Sequence, residues 1–176
     1  MKLIQAMKQL KDLKAKAEDL RKKVQQYCAD LSTETPVYPD QKKQVREWIQ
    51  AHHDILKEIL RLRVAIQRTN LATQVSIELD GRHVTKSIAE WIHRRKDLSN
   101  LDMQIWAVLG DGNRKEGNIQ LAPGAQPLQI TIRRYWDQQE RDKSIELYRS
   151  EPSVIDGTLE IVNATTDLLE KKEETI

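Results

Sequence analysis

The chain has no phenylalanine, a single cysteine (Cys28), six glycines and five prolines in 176 residues, and no long apolar run. One cysteine excludes an intramolecular disulfide and a cysteine-only zinc site; Cys28 reads as a small residue beside the seam of a first helix. No stretch approaches the apolar length of about 20 residues that a membrane span needs, so no membrane partner is expected. The start, MKLIQAMKQLKDLK, alternates apolar and basic residues at helical spacing without an apolar core of the signal-peptide kind, and a cytoplasmic location is expected. An excess of one charge is also missing: 29 basic and 27 acidic residues leave a net charge of +2, which argues against a dedicated binder of duplex nucleic acid. The sequon at Asn163-Ala164-Thr165 carries no weight without secretion.

Charge and pattern are plentiful instead. Hydrophobic residues make up 39% of the chain and charged residues 32%, a balance that suits long helices with a narrow apolar stripe and a large wet surface. Leu3, Ala6, Leu10, Leu13, Ala17, Leu20, Val24, Tyr27 and Leu31 step by three and four without a break, which predicts one helix over about 2–31 with a coiled-coil seam. Ser32 to Pro39 holds two prolines and ends it, and Asp40 can cap the next helix. Val45, Trp48, His52, Ile55, Ile59, Leu62, Ile66, Thr69 and Thr73 then repeat the spacing. Two helices of nearly equal length joined by a short loop predict an antiparallel hairpin over 1–73. The second helix also carries Ile49, Leu56, Leu60 and Val64 beside its seam. This face is wider than one partner helix needs, so a third helix or a second copy of the chain must cover it.

Val75 to Leu79 and Arg82 to Thr85 alternate around Asp80-Gly81, a strong β-hairpin signal. Ser87 and Glu90 are spaced as a capping box for a third helix bearing Ile88, Trp91, Ile92, Leu98, Leu101, Ile105, Trp106 and Leu109 and ending at Gly110. Gly110 to Pro127 holds four of the six glycines and reads as a long excursion with a short strand near Ile119 to Leu121. Leu128, Ile130 and Ile132 alternate as another strand. A short helix over about 138–149, a break at Ser150 to Pro152 and a last helix over about 153–170 complete the chain. Residues 74–170 are expected to form one compact unit with the hairpin, and 171–176 a frayed tail. The fold class is mainly α, a long antiparallel two-helix coiled-coil hairpin with a small β element and two to three further helices.

At Ile66-Gln-Arg-Thr-Asn-Leu-Ala-Thr73, followed by a Gly turn, Val84-Thr85 and Arg94-Arg-Lys-Asp97-Leu98, the chain resembles the septicolysin-like family of uncharacterised bacterial proteins. Those proteins pair a helical hairpin ending in Arg-Thr-Asn-x-x-Thr with a Gly turn and a helix carrying an Arg-Arg-Asp element. Ile155 to Leu168 is similar to the family's closing helix. The middle departs from it: Gly110 to Pro127 looks like an insertion, and the Arg-Arg-Asp element reads Arg-Arg-Lys-Asp. The resemblance implies a fold and self-assembly, and no activity.

Motifs of catalysis are few. The glycines sit singly in turns, so no phosphate loop is read. His52 and His53 are adjacent on a helix and face different ways, and the spacing of a zinc-binding helix is absent. No metal and no cofactor are expected, and the chain is not expected to be an enzyme. His52, Arg95 and Asp102 interrupt the apolar seams, either fixing register and oligomer state or reaching a ligand. The positive signal is arginine with aromatic residues: Arg61, Arg63 and Arg68 lead into Thr69-Asn70, Trp91 precedes His93-Arg94-Arg95-Lys96, and Arg133 and Arg134 precede Tyr135-Trp136. A guanidinium forks onto phosphate or carboxylate, and an indole face stacks a base or sugar. Arg68, Asn70, Trp91, Arg94, Arg95, Arg133, Arg134 and Trp136 are therefore the candidate ligand-binding residues. The same residue types also mark protein–protein interfaces. The function expected is a non-enzymatic homo-oligomer that binds and sequesters an anionic, nucleotide-like small molecule, as a viral or bacterial sponge of a nucleotide signal would. The alternative is a structural assembly protein, a virion or scaffold component without a small-molecule ligand.

Overall fold

The computed structural model describes residues 1–170; the frayed tail expected at 171–176 lies outside them. The chain is mainly helical with two small two-stranded sheets. Its elements run α1 (Leu3–Tyr27), α2 (Gln41–Ala72), β1 (Gln74–Leu79), β2 (Arg82–Ser87), α3 (Ile88–His93), a π-helical turn (Arg94–Leu98), α4 (Ser99–Ala107), β3 (Gly117–Ile119), β4 (Leu128–Ile130) and α5 (Gln138–Thr165). They form two compact units. The first holds Met1–Val75, Ser87–Ala89 and the stretch from Leu159 onward; the second holds Ser76–Lys86 and Glu90–Thr158. This corrects the expectation that 74–170 and the hairpin make a single unit, because α5 crosses the boundary and its last turns belong with α1 and α2. No helix among the described residues is long and apolar enough to cross a membrane.

In the first unit α1 and α2 pack on each other, and all but one of their buried residues, Ala65, stand at positions their spacing singles out. Leu3, Ala6 and Ala17 are buried from α1, and Trp48, Ile59, Leu62, Ala65 and Thr69 from α2. The α1 helix stops at Tyr27, four residues before the expected end, because Gln41 seals it. The Gln41 side-chain amide donates to the Tyr27 carbonyl at 3.0 Å, and its Oε1 accepts from the Tyr38 N–H at 3.1 Å. The rings of Tyr27, Tyr38 and Trp48 meet there with centroids 5.3–5.6 Å apart, leaving Leu31 exposed beyond them. Asp40 caps α2 as expected, accepting from the Lys43 N–H at 2.9 Å. The closing helix ends at Thr165 instead of about 170 because the chain then pairs with its own start. Leu3 N–H donates to the Thr166 carbonyl at 2.9 Å, Leu168 N–H to the Met1 carbonyl at 2.8 Å, and Lys2 Nζ reaches Asp167 at 3.0 Å. Thr69, fully buried, holds the same stretch: its hydroxyl donates to the Ala65 carbonyl and accepts from the Leu169 N–H.

The β1–β2 turn has the left-handed conformation at both central residues, φ 50° at Asp80 and 73° at Gly81, the geometry of the tightest hairpin turn. Beyond α3 the expected uninterrupted third helix is corrected by the π turn. The Ser99 N–H and hydroxyl both return to the Arg94 carbonyl, five residues back. One extra residue in a turn rotates all that follows by about 100°. Ser99 is accordingly buried and Met103 and Trp106 half-buried, one step past the expected Leu98 and Ile105, which are exposed; Asp102 stays half-buried against Arg94. The second correction is α5, which runs unbroken through Pro152 where two helices were expected. An interior proline removes one helical hydrogen bond, and here its neighbours anchor the helix: Glu151 is buried in an ion pair and Ile155 is fully buried. The Gly110 to Pro127 excursion contributes β3, which pairs antiparallel with β4 through Gly117↔Ile130, Asn118↔Gln129 and Ile119↔Leu128.

Candidate functional site

In the second unit Arg94, Arg95 and Arg134 are engaged by the protein's own carboxylates. The π turn aims Arg94 at α5, where its Nε and one terminal nitrogen meet the two oxygens of Glu151 at 2.6 and 2.9 Å; the other terminal nitrogen meets Asp102. The Tyr148 ring lies 5.4 Å from the guanidinium. Glu151 is buried. Its hydrogen bond is the main cause that raises the Arg94 pKa above the ordinary arginine value, against the opposing effect of burial. A two-pronged pair of this kind compensates a buried charge and fixes geometry; it holds the π turn to α5. Arg95 pairs with Asp156 at 2.5 Å. Arg134 forks onto Asp111, with Nε 2.7 Å from the carboxylate, and this bond holds the Asp111 pKa below the usual aspartate value.

The aromatic candidates differ. Trp91 is fully buried, so its ring is a core residue with no face for an incoming base. Trp136 is half-buried, and the Arg141 guanidinium lies 5.6 Å from its ring. Arg133 is exposed and has no ion-pair partner among the described residues. Sequence reasoning did not pair Arg94 with Glu151, 57 positions away; no local signal marks such a contact, and the adjoining proline pointed to a break instead.

Arg68 and Asn70 belong to the first unit. Asn70 is half-buried, and its Oδ1 is buried with no hydrogen-bond partner among the described residues. Arg68 lines a recess of about 640 Å³ along α2, together with Lys57, Leu60, Arg61, Leu62, Val64, Ala65 and Glu170. Leu60, Val64 and Ala65 supply apolar surface and Lys57, Arg61 and Arg68 three cations. Lys57 sits 3.2 Å from Asp54, and Arg61 forks onto Glu58 and lies 3.7 Å from Glu170. The Glu58 carboxyl is held below its usual pKa, chiefly by the hydrogen bond from Arg61. Arg68 has no ion-pair partner among the described residues and is exposed. Lys57, absent from the expected set, had a legible signal: with Arg61 and Arg68 it steps by four and seven along one side of a helix, beside Leu60 and Val64. Among the described residues no cluster of His, Cys, Asp and Glu could hold a metal ion. No family model matches the chain, and comparisons with curated proteins and with solved structures give no match.

Proposed function

We propose that this chain is a non-enzymatic, self-assembling protein that captures an anionic, nucleotide-like small molecule without altering it. The observation that carries the reading is the recess on α2. Its size, about 640 Å³, falls within the range of about 300–1,000 Å³ common for small-molecule sites. Arg68, with no ion-pair partner among the described residues, offers hydrogen-bond donors to phosphate; Lys57 and Arg61 add positive charge although each is paired with a carboxylate, and Leu60 and Val64 offer apolar cover to a base or sugar. The scaffold is proposed to be a long antiparallel coiled-coil hairpin. In support, Leu20 and Val24 of α1 share a recess with Ile49 and His52 of α2, while Ala17, earlier in α1, shares one with the later Ile59. Self-assembly is supported by Leu98, Leu101, Ile105 and Val108, which step by three, four and three and are 44–74% exposed, as in a seam awaiting a partner. The septicolysin-like resemblance points the same way.

Native mass spectrometry of protein purified from cells gives subunit number and any retained molecule. Incubation with cyclic dinucleotides and ADP-ribose derivatives, followed by removal of free ligand and heat denaturation, gives the fate of what was bound. Recovery of the same molecule is expected, and Arg68→Ala should weaken capture about tenfold, as loss of a charged hydrogen bond does, without changing the melting temperature. Release of a cleaved product with repeated turnover would make the chain an enzyme. Depletion of nothing would favour the second reading, a structural assembly protein, a virion or scaffold component; the engagement of Arg94, Arg95 and Arg134 by internal carboxylates speaks for it.

A further inference from the structure

The recess accounts for only part of what α2 presents to solvent. Ile49, Leu56, Leu60, Val64 and Leu71 are 36–64% exposed and fall on one side of the helix at steps of seven, four, four and seven. At about 1.5 Å per residue this stripe runs about 33 Å, well beyond the turns between Lys57 and Arg68 that line the recess. Helices gain stability by covering such a stripe, and α1, which borders it at Ile49, Leu56 and Leu60, leaves 36–64% of each stripe residue open to solvent.

The charges beside the stripe have one sign. At about 100° per residue, Lys42, Arg46, His53, Lys57, Arg63 and Arg68 lie within a quarter turn of it, all of them exposed. The acids of α2, Glu47, Asp54 and Glu58, lie about a third of a turn or more away. Lys42, Arg46, Arg63 and Arg68 have no ion-pair partner among the described residues. The bias is regional: α1 and α2 each carry seven Lys and Arg against three Asp and Glu, in a chain whose net charge is only +2.

We infer that this side of α2 is a docking surface for an acidic amphipathic helix, one with apolar residues at helical spacing flanked by Asp and Glu. The stripe supplies the apolar contact of a helix laid along a helix, and the basic flanks select the sign of the partner. A second copy presenting the same face would set six cationic or histidine positions against their like. Nucleic acid would leave five aliphatic side chains without a use. A lipid surface suits a continuous apolar face, whereas this one is broken by His53 and Gln67 and hollowed by the recess. The inference goes beyond the proposed capture of a small anion, because Arg46 and Ile49 lie outside the recess.

The test uses the full chain and two labelled peptides of about three heptads, with Leu at the seam positions and either Glu or Lys flanking them. Fluorescence anisotropy should show the Glu peptide binding at least about tenfold more tightly than its Lys twin, with affinity falling as salt rises. Arg46→Glu, at an exposed position, should weaken the Glu peptide about tenfold while leaving the melting temperature and small-anion capture at the recess intact, and Ile49→Asp should weaken it by a similar factor. Equal affinity for the two peptides, or binding of neither, overturns the inference whatever the outcome at the recess. So would recruitment to phosphatidylserine vesicles that the Glu peptide does not compete away. An oligomer that Ile49→Asp dissolves in sedimentation experiments would overturn it too, by assigning the face to a second copy.

Discussion

The α1–α2 pair and the α3–α4 segment are both built on apolar residues spaced by three and four, yet only the first keeps its inward face from end to end. Over 25 residues in α1 and 32 in α2 the inward positions follow one another as an undisturbed helix dictates. Past His93 the five-residue π turn advances the face by one position, so that Ser99, Met103 and Trp106 turn inward and Leu98, Leu101, Ile105 and Val108 turn out. Apolar spacing therefore specifies a face only while the residues per turn stay constant. A polar cluster stands where the face shifts: Arg94, held by Glu151 and Asp102, opens the π turn beyond which the leucines face out.

That contrast can be broken first at its polar side. Arg94→Ala leaves the Glu151 carboxylate, 3% exposed, without its partner, and should cost about 3–5 kcal/mol in urea denaturation. Arg94→Lys should recover only part of this, since an ammonium cannot fork. The apolar side breaks at Leu62, 1% exposed in the α2 seam, where Leu62→Ala should cost about 3 kcal/mol; a smaller loss than that of Arg94→Ala would sharpen the comparison, and a larger one would undo it. The π turn itself is probed by Ser99→Ala, which removes the buried hydroxyl bound to the Arg94 carbonyl at 3.0 Å. A cost of about 1 kcal/mol is expected, seen as faster amide exchange over Arg94 to Met103. The smallest effect lies at Asp111, whose pKa is lowered by Arg134. A carboxyl lowered in the folded state stabilises above its unfolded pKa of about 3.9 and loses that contribution as pH falls. Asp111→Asn should thus be slightly less stable than the parent at pH 7 in paired denaturation curves, with the difference fading in acid.

What could be read in advance divides along the same line. Leu3 through Val24 and Trp48 through Thr69 could be placed by spacing, because each contact there recurs every turn. Asp80-Gly81 could be placed because few residue pairs accept two left-handed conformations. The π turn and the unbroken α5 could not, since each depends on a partner distant in the chain; the burial of Trp91 was carried by its spacing from Ile88, against its reading as a ligand residue. Of the ligand candidates, Arg68 lines the α2 recess, whereas Arg94, Arg95 and Arg134 meet acids that spacing alone does not pair with them.

The bridge between the two ends has a consequence for the order of folding. Lys2 and Asp167 are 165 positions apart, and closing so long a loop in an unstructured chain costs on the order of 4–5 kcal/mol in entropy. An exposed ion pair and two backbone hydrogen bonds return less than that. The clasp therefore closes only after the helices have brought its halves together. The Leu3 and Leu168 amides should be among the last to become protected in a refolding experiment followed by pulsed hydrogen exchange, and their protection would mark completion of the first unit.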